Sequence, residues 1–297
     1  MTDNLRGALL MMASMAGYTF NDACMKALSD ELPLAQAIFL RGLGTTFLLL
    51  IIAHSTAKLL PDLSRRDWGL MTLRSVAEVA AAYFFITALF NMPLANASAI
   101  LQALPLTVTL AGALFLGEAV GWRRMIAILV GFLGVLMIIR PGTEGFNVYS
   151  VYVVLSVLCV TVRDLSARRL SAGVSSLTVA LLASFFVTFS FGVVSIWTEW
   201  KMPSGAALTQ LVGATLFIFG GYISSVSAMR IGDLGTIAPF RYTGLLWALI
   251  LGFVVFGDWP GIMTIAGAMT VVATGIFTLS RERRLNRKVS RQGLRLR

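Results

Sequence analysis

The chain has 297 residues, of which 57% are hydrophobic and only 13% charged, and its mean hydropathy is +0.82. A soluble domain carries about twice that share of charge, so composition excludes a water-soluble globule and predicts one all-α polytopic membrane unit. The formal net charge of +10 is concentrated at the end, where "RERRLNRKVSRQGLRLR" holds eight of the 24 Lys and Arg. A basic run next to a membrane span meets anionic lipid headgroups before it meets nucleic acid, so no nucleic-acid partner is expected. Cys24, Cys159 and His54 are too few to build a disulfide framework, a metal site or a histidine-based triad. No cofactor and no enzymatic activity are expected, and the spans hold neither H-E-x-x-H nor the G-x-x-x-x-G-K-[ST] of an ATP-driven pump.

Apolar windows of about 20 residues fall at 6–26, 33–53, 68–90, 94–117, 121–139, 148–167, 174–197, 207–229, 235–257 and 260–280. The first reads as a retained span, because no small-x-small cleavage site closes a short apolar stretch. Short connections make neighbouring helices antiparallel. With a cytoplasmic N-terminus, the inner loops hold Lys58, Arg65, Arg66, Arg123, Arg124, Arg168, Arg169, Arg230 and the tail, and the outer side only Lys26, Arg140 and Lys201. The positive-inside bias therefore puts both termini in the cytoplasm.

The chain repeats itself. At an offset of 142, Thr19, Asp22, Lys26, Leu28 and Ser29 lie over Thr161, Asp164, Arg168, Leu170 and Ser171; at an offset of 140, Gly112, Gly117, Glu118 and Gly121 lie over Gly252, Gly257, Asp258 and Gly261. The halves are 1–142 and 143–280, followed by the basic tail 281–297. Each has an odd number of spans, so the second enters the membrane inverted, as in many secondary transporters that bind substrate near the midplane between repeats.

The segments "LFLGEAVGW" (Leu114–Trp122) and "VVFGDWPG" (Val254–Gly261), closing the fourth spans of two five-span halves, resemble the EamA family of the drug/metabolite transporter superfamily over nearly the whole chain. The resemblance implies a ten-helix carrier of small metabolites with alternating access, in a cell membrane that is expected to be a bacterial inner membrane. Where many members have a tryptophan followed by small residues in the first span, this chain has Tyr18-Thr19-Phe20-Asn21-Asp22.

Polar residues present in both halves are expected to serve the fold. Asp22 with Lys26, and Asp164 with Arg168, have the favourable order for an i,i+4 ion pair at a helix end; proton coupling by Asp22 is the other reading. Glu118 and Asp258 read as caps or loop anchors. Polar residues present in one half only are candidates for substrate contact. Arg41 and Arg241, whose counterparts are Ala183 and Leu101, lie about 10 Å into spans two and nine at 1.5 Å per residue. Each either faces a central cavity or snorkels to a headgroup layer. Arg74 and Glu78 in span three oppose Ala214 and Ile218; Glu78, the deeper, is a candidate proton-coupling carboxylate or the partner of Arg74. Tyr83, Tyr222, Tyr242, Trp247 and Gln102 complete the expected substrate site, beside kinks at Pro105 and Pro239 that free carbonyls.

The substrate expected from two unshared guanidiniums is a small anion or zwitterion bearing a carboxylate, which a guanidinium binds in bidentate fashion. A proton-coupled exporter of cationic or aromatic compounds or amino acids is the alternative. The expected partners are that substrate, lipid headgroups at the tail and a coupling proton, in a monomer or homodimer. The topology has a direct check: a reporter fused after Arg297 should behave as cytoplasmic and one near Thr143 as external, and an external C-terminus would contradict the inverted repeat.

Overall fold

The computed structural model describes residues 3–56, 64–118, 120–143, 146–171, 173–231 and 234–295, with side chains 55–56, 229–230, 234–235 and 282–295 left aside. The described residues are all helix and loop. Twelve α-helices and one 3-10 turn follow in order: α1 (Asp3–Ala27), α2 (Leu34–Thr56), α3 (Arg65–Asn91), α4 (Leu94–Leu101), α5 (Leu104–Leu116), α6 (Trp122–Ile139), α7 (Tyr149–Arg168), α8 (Ser176–Ser195), α9 (Gly205–Ile231), α10 (Leu234–Ile237), the 3-10 turn (Ala238–Tyr242), α11 (Thr243–Phe256) and α12 (Ile262–Arg295). Nine segments among the described residues are long and apolar enough to cross a membrane, α4 with α5 counting as one. α1 is of spanning length but more polar. Lys58 lies outside the described residues, as do the side chains of Arg230 and of the tail beyond Arg281.

Helix ends follow local chemistry. Ser64 and Ser175 accept the backbone N–H of Asp67 and Thr178 and so start α3 and α8. α5 and α11 both stop at a glycine with φ +68°, Gly117 and Gly257, a conformation that costs a residue with a Cβ. In each the next amide, of Glu118 or Asp258, turns back to the carbonyl of Gly112 or Gly252. The two apolar segments with the predicted proline kinks are in fact broken. Gln102 and Ala103 separate α4 from α5, and the 3-10 turn separates α10 from α11. Pro105 and Pro239 each sit in the first turn of the following piece, where a missing N–H does no harm.

The helices pack in reciprocal pairs. α1 lies along α9 and α7 along α3; α1 touches α11 as α7 touches α5; α2 lies along α8, and α6 along α12. Matched positions thus make matched contacts across the halves. The α6–α12 crossing is a small-residue contact: a Cβ on Gly134 would stand 2.9 Å from Gly267 O, and one on Gly267 2.5 Å from Gly134 O. The small-residue run Ala95–Ala99 of α4 is likewise buried, apart from Asn96.

One face of the bundle collects the end of α1 and the loops after α3, α6, α8 and α11, and is called the Lys26 face. The other collects the ends of α5 and α7 and the start of α3, and is called the Arg168 face. The main apolar core joins residues of both halves toward the Lys26 face, among them Leu28, Leu32, Ile38, Leu89, Leu94, Phe191 and Leu211. Toward the Arg168 face two small clusters stay apart, Met11–Ala228–Ile237 and Leu49–Ala53–Leu181. The close crossing predicts that Gly267→Val lowers stability by about 1–3 kcal/mol, the range for overpacking; an unchanged Tm of the purified protein would contradict it.

Candidate functional site

The first helix of each half carries the polar centre. Thr19 Oγ1 donates to Met15 O (2.8 Å) within α1 and lies 3.3 Å from Gly244 O at the start of α11. Its counterpart Thr161 donates to Val157 O (2.8 Å) and is 2.8 Å from Thr107 Oγ1 in α5. The shared threonines therefore stitch the first helix of each half to the broken helix of the other. Gln102 stands at the α4–α5 break beside them: a Cβ on Gly244 would be 3.6 Å from its Nε2 and 3.7 Å from Thr19 Oγ1.

Two turns of charge lie next to this stitching. In the first, Asn21 Nδ2 donates to Asp22 Oδ1 at 2.9 Å, and Arg41 Nη1 donates to Asn21 Oδ1 at 3.4 Å. Arg41 is 9% exposed and Asn21 3%, so Arg41 does not snorkel. The carboxylates of Asp22 and Glu78 act on it electrostatically. In the second, Arg163 Nη1 donates to Glu78 Oε1 at 3.0 Å and Arg163 Nε to Asp164 Oδ1 at 2.8 Å. Arg74 Nη2 stands 3.5 Å from Glu78 Oε2. Asn21 and Arg163 occupy matched positions; each binds the aspartate that follows it and reaches across to a charged residue of another helix.

Arg241 sits half-buried in the 3-10 turn. It acts electrostatically on the Tyr18 phenol, as does Arg163, and Ser14 and Ser225 lie beside that phenol. The Tyr18 ring is held against Gly221 of α9, where a Cβ would come within 3.1 Å of it, and Ser14 Oγ donates to Gly221 O at 2.7 Å. Among the described residues Arg241 has no ion pair. Four guanidiniums (Arg41, Arg74, Arg163, Arg241) thus face three carboxylates (Asp22, Glu78, Asp164). Phe20 packs 5.1 Å from Phe217 and 6.0 Å from Trp247 between ring centroids, one residue from Asn21.

Several expectations need correction. Asp22 does not pair with Lys26, whose Nζ donates instead to Leu89 O (3.2 Å) and Met92 O (2.8 Å). Those are carbonyls at the C-terminal end of α3, which lack partners within their own helix. Asp164 does not pair with Arg168 either: Arg163 holds Asp164, and Arg168 Nη1 bonds Glu118 Oε1 at 3.1 Å. Tyr83 lies on the same exposed stripe of α3 as Val76, 44% exposed and about half a turn from Glu78, and so belongs to the outer surface. Tyr242 is 5% exposed and sets its hydroxyl against Gly275 of α12, with no hydrogen-bond partner among the described residues, although it stays within electrostatic reach of Arg241. Tyr222 is near enough to act on Arg74, but its hydroxyl donates to Ser176 O at 2.8 Å. The structure brings together Arg41, Asp22, Glu78, Arg241 and Gln102, with Trp247 at the edge. Arg163 and Tyr18 were not anticipated. Arg163 has the signal of an unshared charge, since Asn21 stands in its place in the other half.

Among the described residues no three His, Cys, Asp or Glu side chains converge to hold a metal. Two apolar crevices, one between α4, α11 and α12 and one outside α6 and α12, do not reach the charges.

The fold and its paired halves have known relatives. The sequence matches the EamA-like transporter family twice, over residues 5–140 and 148–281, and the chain belongs to that family. It is 28% identical over 289 residues to the pseudopaline exporter CntI of Pseudomonas aeruginosa, covering 93% of this chain and 96% of that protein. It is 24% identical over 285 residues to the S-adenosylmethionine uptake transporter of Rickettsia prowazekii, covering 94% of each. It is 24% identical over 279 residues to the riboflavin transporter of Vibrio cholerae, covering 92% and 93%. A solved crystal structure shares the fold with a TM-score of 0.64, at 18% identity, over 94% of this chain and 98% of that one. The protein is therefore a multi-pass membrane transporter of a small metabolite, and not an enzyme.

Arg163 holds two carboxylates, Arg74 one. These pairs are partly buried, and removing one partner leaves the other charge without its bond. Arg163→Met should therefore lower stability by about 1–3 kcal/mol, the range for hydrogen bonds to charged groups, and by more than Arg74→Met does. Equal losses in thermal unfolding would deny Arg163 its central place.

Proposed function

We propose that the protein is a secondary carrier of a small carboxylate-bearing metabolite, anionic or zwitterionic, working by alternating access. It would sit in a bacterial cytoplasmic membrane as two inverted five-helix halves, 1–142 and 143–280, with both termini inside and the basic tail 281–297 against anionic headgroups. One observation carries the substrate class: four guanidiniums meet three carboxylates, and the cation left over is Arg241, on a helix break. A surplus cation in a low-dielectric interior attracts an anion and repels a cation. Freed backbone groups at broken helices are the usual substrate contacts of inverted-repeat carriers. Gln102 at the other break and the Tyr18 hydroxyl beside Arg241 supply further polar groups. Glu78, held by Arg163 and Arg74, and Asp22 are the candidate proton carriers. The rival reading, a proton-coupled exporter of cationic or aromatic compounds or amino acids, draws on the rings of Phe20, Phe217 and Trp247.

A guanidinium that grips a carboxylate by two parallel bonds cannot be replaced by an ammonium. Arg241→Lys should weaken carboxylate binding by about 1–3 kcal/mol, and Arg241→Gln by at least as much, with folding unchanged. Wild-type affinity in the Lys variant would make Arg241 an anchor at the membrane edge.

A further inference from the structure

The outer surface of the bundle carries a shallow crevice between α6 and α12, of about 320 Å³, a volume at the lower end of small-ligand sites. Trp122, Ile126 and Val130 recur every four residues and so form one stripe along α6, and Thr274 and Phe277 face them from α12. Trp122, Ile126, Val130 and Phe277 are between 39% and 68% exposed. Thr274 holds the one hydroxyl of the lining, and it donates to Thr270 O at 2.8 Å. The walls below Trp122 therefore offer a polar molecule no free side-chain donor. On the outside of a membrane protein, such a crevice takes a hydrocarbon chain.

The mouth of the crevice is cationic. Arg123 lines it, with its guanidinium 5.1 Å from the ring centre of Trp122. The next residue, Arg124, is 7% exposed, so Arg123 is the cation that α6 offers to the outside. Both stand in the first turn of α6, just beyond the end of α5 at the Arg168 face. Tryptophan at a span end marks the boundary between headgroups and hydrocarbon. Arg281 follows Phe277 by one turn of α12, on the same side of that helix. Gly131 meets Thr274 and Gly134 meets Thr270 across the crossing, a register that sets Arg281 level with Arg123. From Arg123 to Val130 the crevice runs about 10 Å along the helix axis. Two cations above an apolar wall match a phosphate above an acyl chain. The other crevice, between α4, α11 and α12, is about 40 Å³, and no charged residue lines it.

We propose that this crevice binds one anionic phospholipid, its phosphate held by Arg123 and Arg281 and one acyl chain laid along Ile126 and Val130 between α6 and α12. A guanidinium grips a phosphate by two parallel bonds. A zwitterionic headgroup brings an ammonium that two guanidiniums repel, so phosphatidylglycerol is favoured over phosphatidylcholine. The basic tail, which begins at Arg281, adds to the field that draws anionic lipid to this end of the bundle. The site lies outside the bundle, away from the central charges, and does not depend on which substrate the centre carries.

The test is native mass spectrometry of the full-length protein, released from micelles that hold dioleoyl phosphatidylglycerol and dioleoyl phosphatidylcholine in equal amounts. The wild type should retain one phosphatidylglycerol per chain, about ten-fold over phosphatidylcholine, the scale of a hydrogen bond to a charged group. Arg123→Gln should remove most of that preference. Val130→Trp, which fills the crevice from an exposed position without changing charge, should lose the retained lipid of either kind. Arg287→Gln with Lys288→Gln, in the tail, should leave retention as it is. Equal retention of the two lipids by the wild type would overturn the proposal, and so would a preference lost in the tail variant and kept in Arg123→Gln. A dimer that retains no lipid would assign the crevice to a second copy of the chain instead. Displacement of the lipid by millimolar glycerol phosphate, which has the headgroup charge and no chain, would equally overturn it.

Discussion

Charge held away from water is the constraint on which this bundle depends. An ionised side chain at the centre of a bilayer costs about 2.5–3.5 kcal/mol on insertion scales, and four guanidiniums and three carboxylates lie among these helices, buried or partly buried. Most are neutralised in place: Arg163 binds Glu78 and Asp164, Arg74 adds to Glu78, and Asn21 links Arg41 to Asp22. The helices that carry these groups belong to both halves, so the pairing also fixes how the halves meet. What it leaves over is one guanidinium beside a helix break. In the proposed carrier, that guanidinium is where an anionic ligand would bring the missing charge.

The repeat separates two kinds of residue. Thr19 and Thr161, Gly117 and Gly257, and Glu118 and Asp258 recur because the same contact is made twice, once from each side. Arg41, Glu78, Arg163 and Arg241 occur once, and they gather where the halves adjoin. The repeat thus accounts for the shared contacts, and its local breakage gives the centre its distinct charges.

Much of the fold was legible in the sequence. Nine apolar spans among the described residues follow from apolar length, and the two prolines mark where helices break, although the sequence suggests kinks there rather than breaks. The side-chain partners were less so. The i,i+4 rule describes the surface of one helix; in a bundle a neighbour can offer a better partner. Lys26 passes over Asp22 because the end of α3 presents carbonyls without hydrogens, and Arg163 takes Asp164 before Arg168 can. The faces of Tyr83 and Tyr242 depend on helix rotation, which an apolar window does not encode: with lipid on one side and packed residues on the other, both are hydrophobic. Arg163 was hidden for a different reason. It lies in the stretch that shows the repeat, and the shared Asp164 beside it drew the structural reading onto both.

The central claim is that the surplus cation selects a carboxylate. It is tested most directly by measuring saturable uptake into proteoliposomes of a series of small carboxylates, each beside its carboxamide of the same shape. The account predicts a carboxylate that is carried while its amide is not, because the amide leaves Arg241 unpaired. Equal transport of the two members of such a pair, or saturable transport of organic cations alone, would contradict it.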